Sequence, residues 1–200
     1  MLASLPRPAI PVHTNHHWTY DEYRRFPEIG LTARYPHYMF EILEGELCMA
    51  PLLAKEHQHY SRRLGGPLQQ WLTRHRCGKL LHSPLDVVLS EDTVVRPDLV
   101  FLAKGHLSLM KSKVLHGTPD LLVEIVSPYS AYRDRNTKIK LYSQFKTPFY
   151  WIVDPEHATL EEYELDGKNY QAVREWHATE VFTPRVFPGL QLELQEILIS

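Results

Sequence analysis

Two acidic residues interrupt two apolar stretches, and their presence there demands a chemical reason. Leu121-Leu122-Val123-Glu124-Ile125-Val126 reads as a buried β-strand, bounded by the turn signals Gly117-Thr118-Pro119 and Ser127-Pro128. Strand side chains alternate, so Asp120, Leu122, Glu124 and Val126 share one face, and Leu121, Val123 and Ile125 share the other. A carboxylate in such a strand is costly unless it is paired or holds a metal. Upstream, the stretch from Val94 to Ala103 is again apolar, and Asp98 interrupts it directly after Pro97. Proline has no backbone N–H, which predicts an edge or a bulge, and a bulge re-aims a side chain. Either acid alone reads as a local cap at a strand end. Two of them, in successive apolar strands, point to a shared site.

A third residue joins them from the next element. The segment from Tyr132 to Thr147 predicts a helix, capped by Ser130 or Asp134 and ended by Pro148. At about 100° per residue, Ile139, Leu141, Tyr142 and Phe145 form its buried stripe. Asn136, Lys140, Ser143 and Gln144 fall opposite. Lys138 falls within the buried stripe, one turn after Asp134. It either pairs with Asp134 and snorkels outward, or points at the carboxylates of the sheet. Two carboxylates offer hard oxygen ligands suited to Mg²⁺ or Mn²⁺. Such an ion polarises a phosphoryl oxygen and activates water, and a nearby lysine orients that water or stabilises developing charge. Asp98, Glu124 and Lys138 are thus parts for metal-assisted phosphodiester hydrolysis, with Asp120 as a further ligand or an orienting group.

The remaining elements must hold these parts in place. Residues 1–17 read as an irregular arm, broken by Pro6, Pro8 and Pro11, with His13, His16 and His17 as a weak metal cue. Residues 18–200 form a single domain. Thr19 and Glu22 make a capping-box pattern for a short helix. Tyr38–Leu43 and Glu46–Ala50 flank Glu44-Gly45 as a hairpin. Glu41, inside its first strand, is either an outward-facing residue or part of the site. Residues 54–76 are helical by spacing, with Gly65-Gly66-Pro67 expected to weaken or kink the helix. This helix carries Arg62, Arg63, Arg74, His75 and Arg76, the best candidate for phosphate contacts. His57 and His59 near its start cannot face one way. Residues 79–89 read as one strand, 104–116 as a mobile connector, and Phe149–Asp154 as a buried strand. A surface hairpin joins Thr159–Leu165 to Asn169–Val173, and one more short strand ends the chain.

Composition excludes several classes. The 200 residues carry 22 basic and 24 acidic side chains, so any nucleic-acid contact must be a local patch. Cys48 and Cys77 make neither a disulfide framework nor a zinc signature, which suits a reducing, cytoplasmic setting. No apolar run approaches the ~18 residues of a membrane span, and the N-terminus has no signal-peptide pattern. No Gly-rich phosphate loop of the G-x-x-x-x-G-K-[ST] type occurs, which argues against a nucleotide phosphohydrolase.

Pro97-Asp98 followed by Glu124-Ile125-Val126 resembles the PD-(D/E)XK nuclease signature, with Val126 where the motif lysine belongs. Lys138, from the following helix, would replace it. Asp120 to Pro128, Asp134 to Lys138, Tyr142 and Tyr150 to Pro155 together resemble the Uma-type restriction endonuclease family of that superfamily. So do Phe40 to Glu46, Pro51 followed by Glu56-His57, and Pro188-Gly189-Leu190. The resemblance implies an α/β fold with a restriction-endonuclease-like mixed β-sheet flanked by helices, an N-terminal hairpin and a C-terminal hairpin. It also implies a Mg²⁺-type metal, DNA as substrate and a homodimer. Asp98 and Glu124 would hold the metal and Lys138 would position the water, with Glu41, His57 and Tyr142 as supporting residues. The alternative is an inactive DNA-binding or regulatory module on the same fold, motivated by the displaced lysine and the near-neutral charge.

Overall fold

The computed structural model describes residues 16–27, 30–51, 55–128 and 130–199. The proline-rich arm up to residue 15, including His13, lies outside them. The helices are α1 (Tyr20–Tyr23), α2 (Leu31–Arg34), α3 (Lys55–His75), α4 (Ala131–Arg133), α5 (Ile139–Gln144) and α6 (Leu194–Leu198). The strands are β1 (Tyr38–Leu43), β2 (Glu46–Pro51), β3 (Gly78–His82), β4 (Asp86–Ser90), β5 (Thr93–Val95), β6 (Leu99–Ala103) and β7 (Met110–Lys111). They continue with β8 (Val114–His116), β9 (Leu121–Ile125), β10 (Phe149–Asp154), β11 (Thr159–Asp166), β12 (Asn169–His177), β13 (Val181–Phe182) and β14 (Leu192–Glu193).

Two six-stranded sheets result. One runs β2-β1-β5-β4-β8-β7, and the other runs β12-β11-β10-β9-β6-β3. Both are mixed, because β4 and β8 pair parallel in the first and β9 and β10 in the second. The β9–β10 crossover carries the helical segment 131–144, as a parallel pair requires. Strand alternation sorts the second sheet's side chains. Leu121, Val123 and Ile125 pack with Leu64, Leu68 and Leu72 of α3, while Leu122 and Val126 pack with Leu141 and Tyr142 of α5. Glu124 therefore points to the α5 side.

Local chemistry explains the well-defined pieces. Thr19 Oγ1 accepts from the Glu22 N–H, and Glu22 Oε2 accepts from the Thr19 N–H, completing the capping box of α1. In the β1–β2 turn both Glu44 and Gly45 have positive φ, 51° and 84°, the conformation a two-residue hairpin needs. A Cβ at Gly45 would also meet the His17 ring at 2.0 Å. His16 and His17 pair separately with Glu22 and Asp92, so they form no joint site. Helix α3 runs through Pro67 without a break, because its buried face of Leu64, Leu68 and Leu72 anchors it on the second sheet. Gly65 lets His82 approach to where a Cβ would stand 2.5 Å from its ring.

Several expectations need correction. Residues 79–89 form two strands in different sheets, because Ser83-Pro84 interrupts them and Pro84 has no N–H to continue a ladder. The 94–103 stretch likewise splits into β5 and β6, and Asp98 lies at the crossing between sheets. Residues 104–116 form a 3₁₀ turn and the β7–β8 hairpin, with β8 joining β4. The last strand is two residues long and leads into α6. The crossover helix widens into a π-turn over Asp134–Lys138 between α4 and α5. Ser130 stands at its N-cap position, but its hydroxyl accepts from Ser127 N–H rather than from the helix. Ser143, placed by the wheel on the open face, is buried and donates to the Lys168 carbonyl of the C-terminal hairpin.

Candidate active site

The site forms where the two sheets meet the crossover helix. The register Leu99↔Val123 sets Asp98 opposite Glu124 at the edge of the β6–β9 ladder. Asp98 is held there from both sides. Its N–H donates to Val123 O, its carbonyl accepts from Ser83 N–H, and its Oδ2 accepts from Ile125 N–H at 2.7 Å. Glu124 Oε1 accepts from Lys138 Nζ and from the Tyr142 hydroxyl, each at 2.8 Å. Glu41 arrives from β1 of the other sheet. Its Oε1 accepts from the Arg96 N–H at 2.8 Å and lies 3.0 Å from Lys138 Nζ. Asp134 Oδ1 stands 3.6 Å from the same ammonium. One lysine, 2% exposed, thus faces three carboxylates on three elements. The π-turn between Asp134 and Lys138 aims both inward, and such turns are frequent at functional sites.

Charge is tuned by this crowding. Burial pushes the Glu124 carboxyl up to about 8, reinforced by Asp134, Asp98 and Glu41 and only partly offset by Lys138. Burial would also raise Glu41, but Lys138 and Arg133 outweigh it and hold that carboxyl well below the usual range. Burial opposes the Lys138 ammonium, yet Glu124, Glu41 and Asp134 keep it protonated. The Tyr142 hydroxyl is driven far up by burial and by Glu124, so it serves as a donor.

The structure brings Asp98, Glu124, Lys138, Glu41 and Tyr142 together. His57 stands at the rim, with Nδ1 3.7 Å from Asp98 Oδ1, while His59 is exposed. Asp120 does not join them. It sits one residue before β9, four residues from Glu124, about 13 Å along the strand. There it accepts from the Ala103 N–H and pairs with His106. Lys138 does pair with Asp134, but it does not snorkel. Val126 is buried in apolar contacts, so no side chain of β9 supplies a cation. Sequence reasoning missed Arg133. Its guanidinium lies 3.5 Å from Glu41 Oε2 and 4.0 Å from Asp134 Oδ1, and its Nε and Nη1 are buried without a hydrogen-bond partner. The available signal was its place beside Asp134. Arg96 was also missed, because its contribution to Glu41 is a backbone N–H.

The carboxylate oxygens present are of the kind a hard divalent cation takes. Asp98 Oδ1, Glu41 Oε2 and Asp134 Oδ1 are buried and take no hydrogen bond. Four carboxylates (Glu41, Asp98, Glu124, Asp134) face two cations (Lys138, Arg133), an excess of two negative charges when all are ionised. Among the described residues no three His, Cys, Asp or Glu side chains form a group able to hold a metal. Two carboxylates completed by water suit Mg²⁺, which needs no all-protein cage.

The chain matches the model of the Uma2 family, described as a putative restriction endonuclease, over residues 20–195. It is similar in structure to a putative nuclease of DUF820 from Anabaena variabilis, with a TM-score of 0.68 at 16% identity over 80% of this chain and 89% of that one. No curated protein matches. Among the described residues no helix is long and apolar enough to cross a membrane. The family match extends over both mixed sheets and the crossover helix, and this chain belongs to the Uma2 family.

Proposed function

We propose that the protein is a Mg²⁺- or Mn²⁺-dependent endonuclease that hydrolyses phosphodiester bonds in DNA. The observation that carries this reading is the placement of Asp98 and Glu124 opposite each other beside a buried lysine. Asp98 and Glu124 would hold the metal, with His57 as a neighbouring donor. When bound, the ion would polarise a phosphoryl oxygen and lower the pKa of a coordinated water. Lys138 and Tyr142 orient Glu124 by holding its Oε1. Lys138 stays an ammonium, so it acts as a donor that positions water and stabilises developing negative charge, not as a general base. Glu41 and Asp134 hold that ammonium in place from the other side.

The test is plasmid cleavage with Mg²⁺, Mn²⁺ or EDTA by wild type, Glu124→Ala and Lys138→Ala. Metal-dependent nicking lost in both variants supports the assignment. Full activity in Glu124→Ala removes it. A second reading, a DNA-binding module without chemistry, is favoured by one observation: Lys138 already pairs with Glu124, one of the two carboxylates a metal would need. DNA binding by a folded protein that cleaves nothing with either metal selects it.

A further inference from the structure

Beside the carboxylates lies a groove of about 750 Å³, between α3 and the link from β3 to β4. Its size is that of a ligand cleft, roughly 300–1,000 Å³. It adjoins the site through four separate pieces of chain. Met39 stands on β1 two residues before Glu41 and on the same face. Gln58 follows His57 on α3. The Arg96 N–H holds Glu41, and the Ser83 N–H holds the Asp98 carbonyl. The groove therefore runs along the chain segments that hold Asp98 and Glu41, although the two buried carboxylates do not themselves line it.

The groove carries one uncompensated positive charge. No acidic residue lines it, and the Arg96 guanidinium is neutralised by Asp86. Arg62 has no carboxylate partner among the described residues, and its Nε–H donates to the Gln58 carbonyl at 3.1 Å, which fastens it to the groove wall. The other basic residues of α3 are placed differently. Arg63 donates to the Ile199 carbonyl at 2.7 Å, and Arg74 lies twelve residues further along the helix, about 18 Å away. We infer that this groove receives the DNA backbone next to the cleaved bond, with Arg62 on a phosphate and Gln58 and Ser61 on the adjoining sugar or base edge. The inference rests on the nuclease reading for its substrate, but not on turnover.

The experiment is fluorescence anisotropy of a short labelled DNA duplex of mixed sequence, in Ca²⁺, across a salt series. Wild type is compared with Arg62→Gln, Arg74→Gln and Ser61→Trp, and the melting temperature of each is checked. Arg62→Gln should weaken binding about 5- to 10-fold and reduce the log–log salt slope by about 1. Arg74→Gln should change it by less than about 2-fold. Ser61→Trp should match Arg62→Gln with Arg62 still present. Equal effects of the two arginine variants, unaltered binding by Ser61→Trp, or no binding by wild type would each overturn the inference. Plasmid cleavage in Mn²⁺ separates the two readings. Cleavage with no distinction between Arg62 and Arg74 removes the groove and keeps the nuclease. Binding through Arg62 without cleavage does the reverse.

Discussion

Arg133 and Arg135 stand two residues apart on the crossover helix and have opposite surroundings. Arg135 is satisfied, with Nε–H donating to Glu161 at 2.7 Å and Nη2–H to Asp154 at 2.8 Å, at the half-open edge of the second sheet. His157 completes that cluster on Asp154. Arg133 lies deeper and is not satisfied, with two buried nitrogens unpaired beside carboxylate oxygens that are unpaired as well. A cluster whose role is to join a helix to a sheet satisfies its donors. A cluster that keeps buried donors and acceptors open at a cost of about 1–3 kcal/mol each retains room for something else. The difference sets a fully hydrogen-bonded cluster against an open one within one segment.

Four changes would break or sharpen that contrast. The largest effect should come from Glu124→Gln, which removes the negative charge but keeps the shape. Metal-dependent plasmid cleavage should fall by about 10³-fold or more, with secondary structure retained by circular dichroism. Cleavage near the wild-type rate would return Glu124 to the structural class. Next, Lys138→Met should lower cleavage about 10²- to 10³-fold and cost about 3–5 kcal/mol in urea unfolding, because it leaves buried carboxylates without their lysine. Adding Mg²⁺ should recover more stability in this variant than in wild type; no difference would mean that metal and lysine do not share those carboxylates.

Third, Arg133→Ala and Arg135→Ala should divide. Arg133→Ala should lower cleavage about 10- to 100-fold, as loss of an outer-shell partner does. Arg135→Ala should cost about 1–3 kcal/mol, because it leaves the buried Asp154 carboxylate with only His157, and should leave kcat unchanged. Equal effects in both assays would dissolve the contrast.

The smallest effect is on pH dependence. Glu124 binds its proton more tightly in the folded state, at about 8, than at its ordinary 4.5. Its contribution is therefore fully present below about pH 4.5 and is lost as pH rises through about 8. The metal-free protein should show a falling urea midpoint across that window, and Glu124→Gln should flatten the fall. Glu41, shifted the other way, contributes stability that is fully present above about pH 4.5 and is lost only as pH falls below that, so it stays constant across this window.

How much was legible from residues alone follows one physical rule. Where a local pattern carried the information, it read correctly. The Thr19–Glu22 cap, the Glu44-Gly45 turn, the two-faced alternation around Glu124 and the inward position of Lys138 depend on neighbours within a few residues. Errors arose where the chain changes sheets. Pro84 and Asp98 interrupt runs that look continuous by hydropathy, because an apolar run does not say which sheet it enters. Asp120 shares a strand face with Glu124, yet that face is long enough for the two to lie at opposite ends.

The sequence by itself determined the site's chemical inventory: two carboxylates in apolar strands, a lysine on the buried stripe of the next helix, and a fold class of mixed sheets with flanking helices. The carboxylates and the lysine follow from periodicity and from the cost of burying charge; the fold class follows from the resemblance to the Uma-type family. Only the tertiary structure decided that Glu41 crosses from the other sheet to share Lys138, that a π-turn aims Asp134 and Lys138 inward, and that Arg133 faces Glu41 and Asp134 with two nitrogens left without hydrogen bonds. Each of these depends on contacts between residues far apart in the chain, whose distances no local spacing encodes.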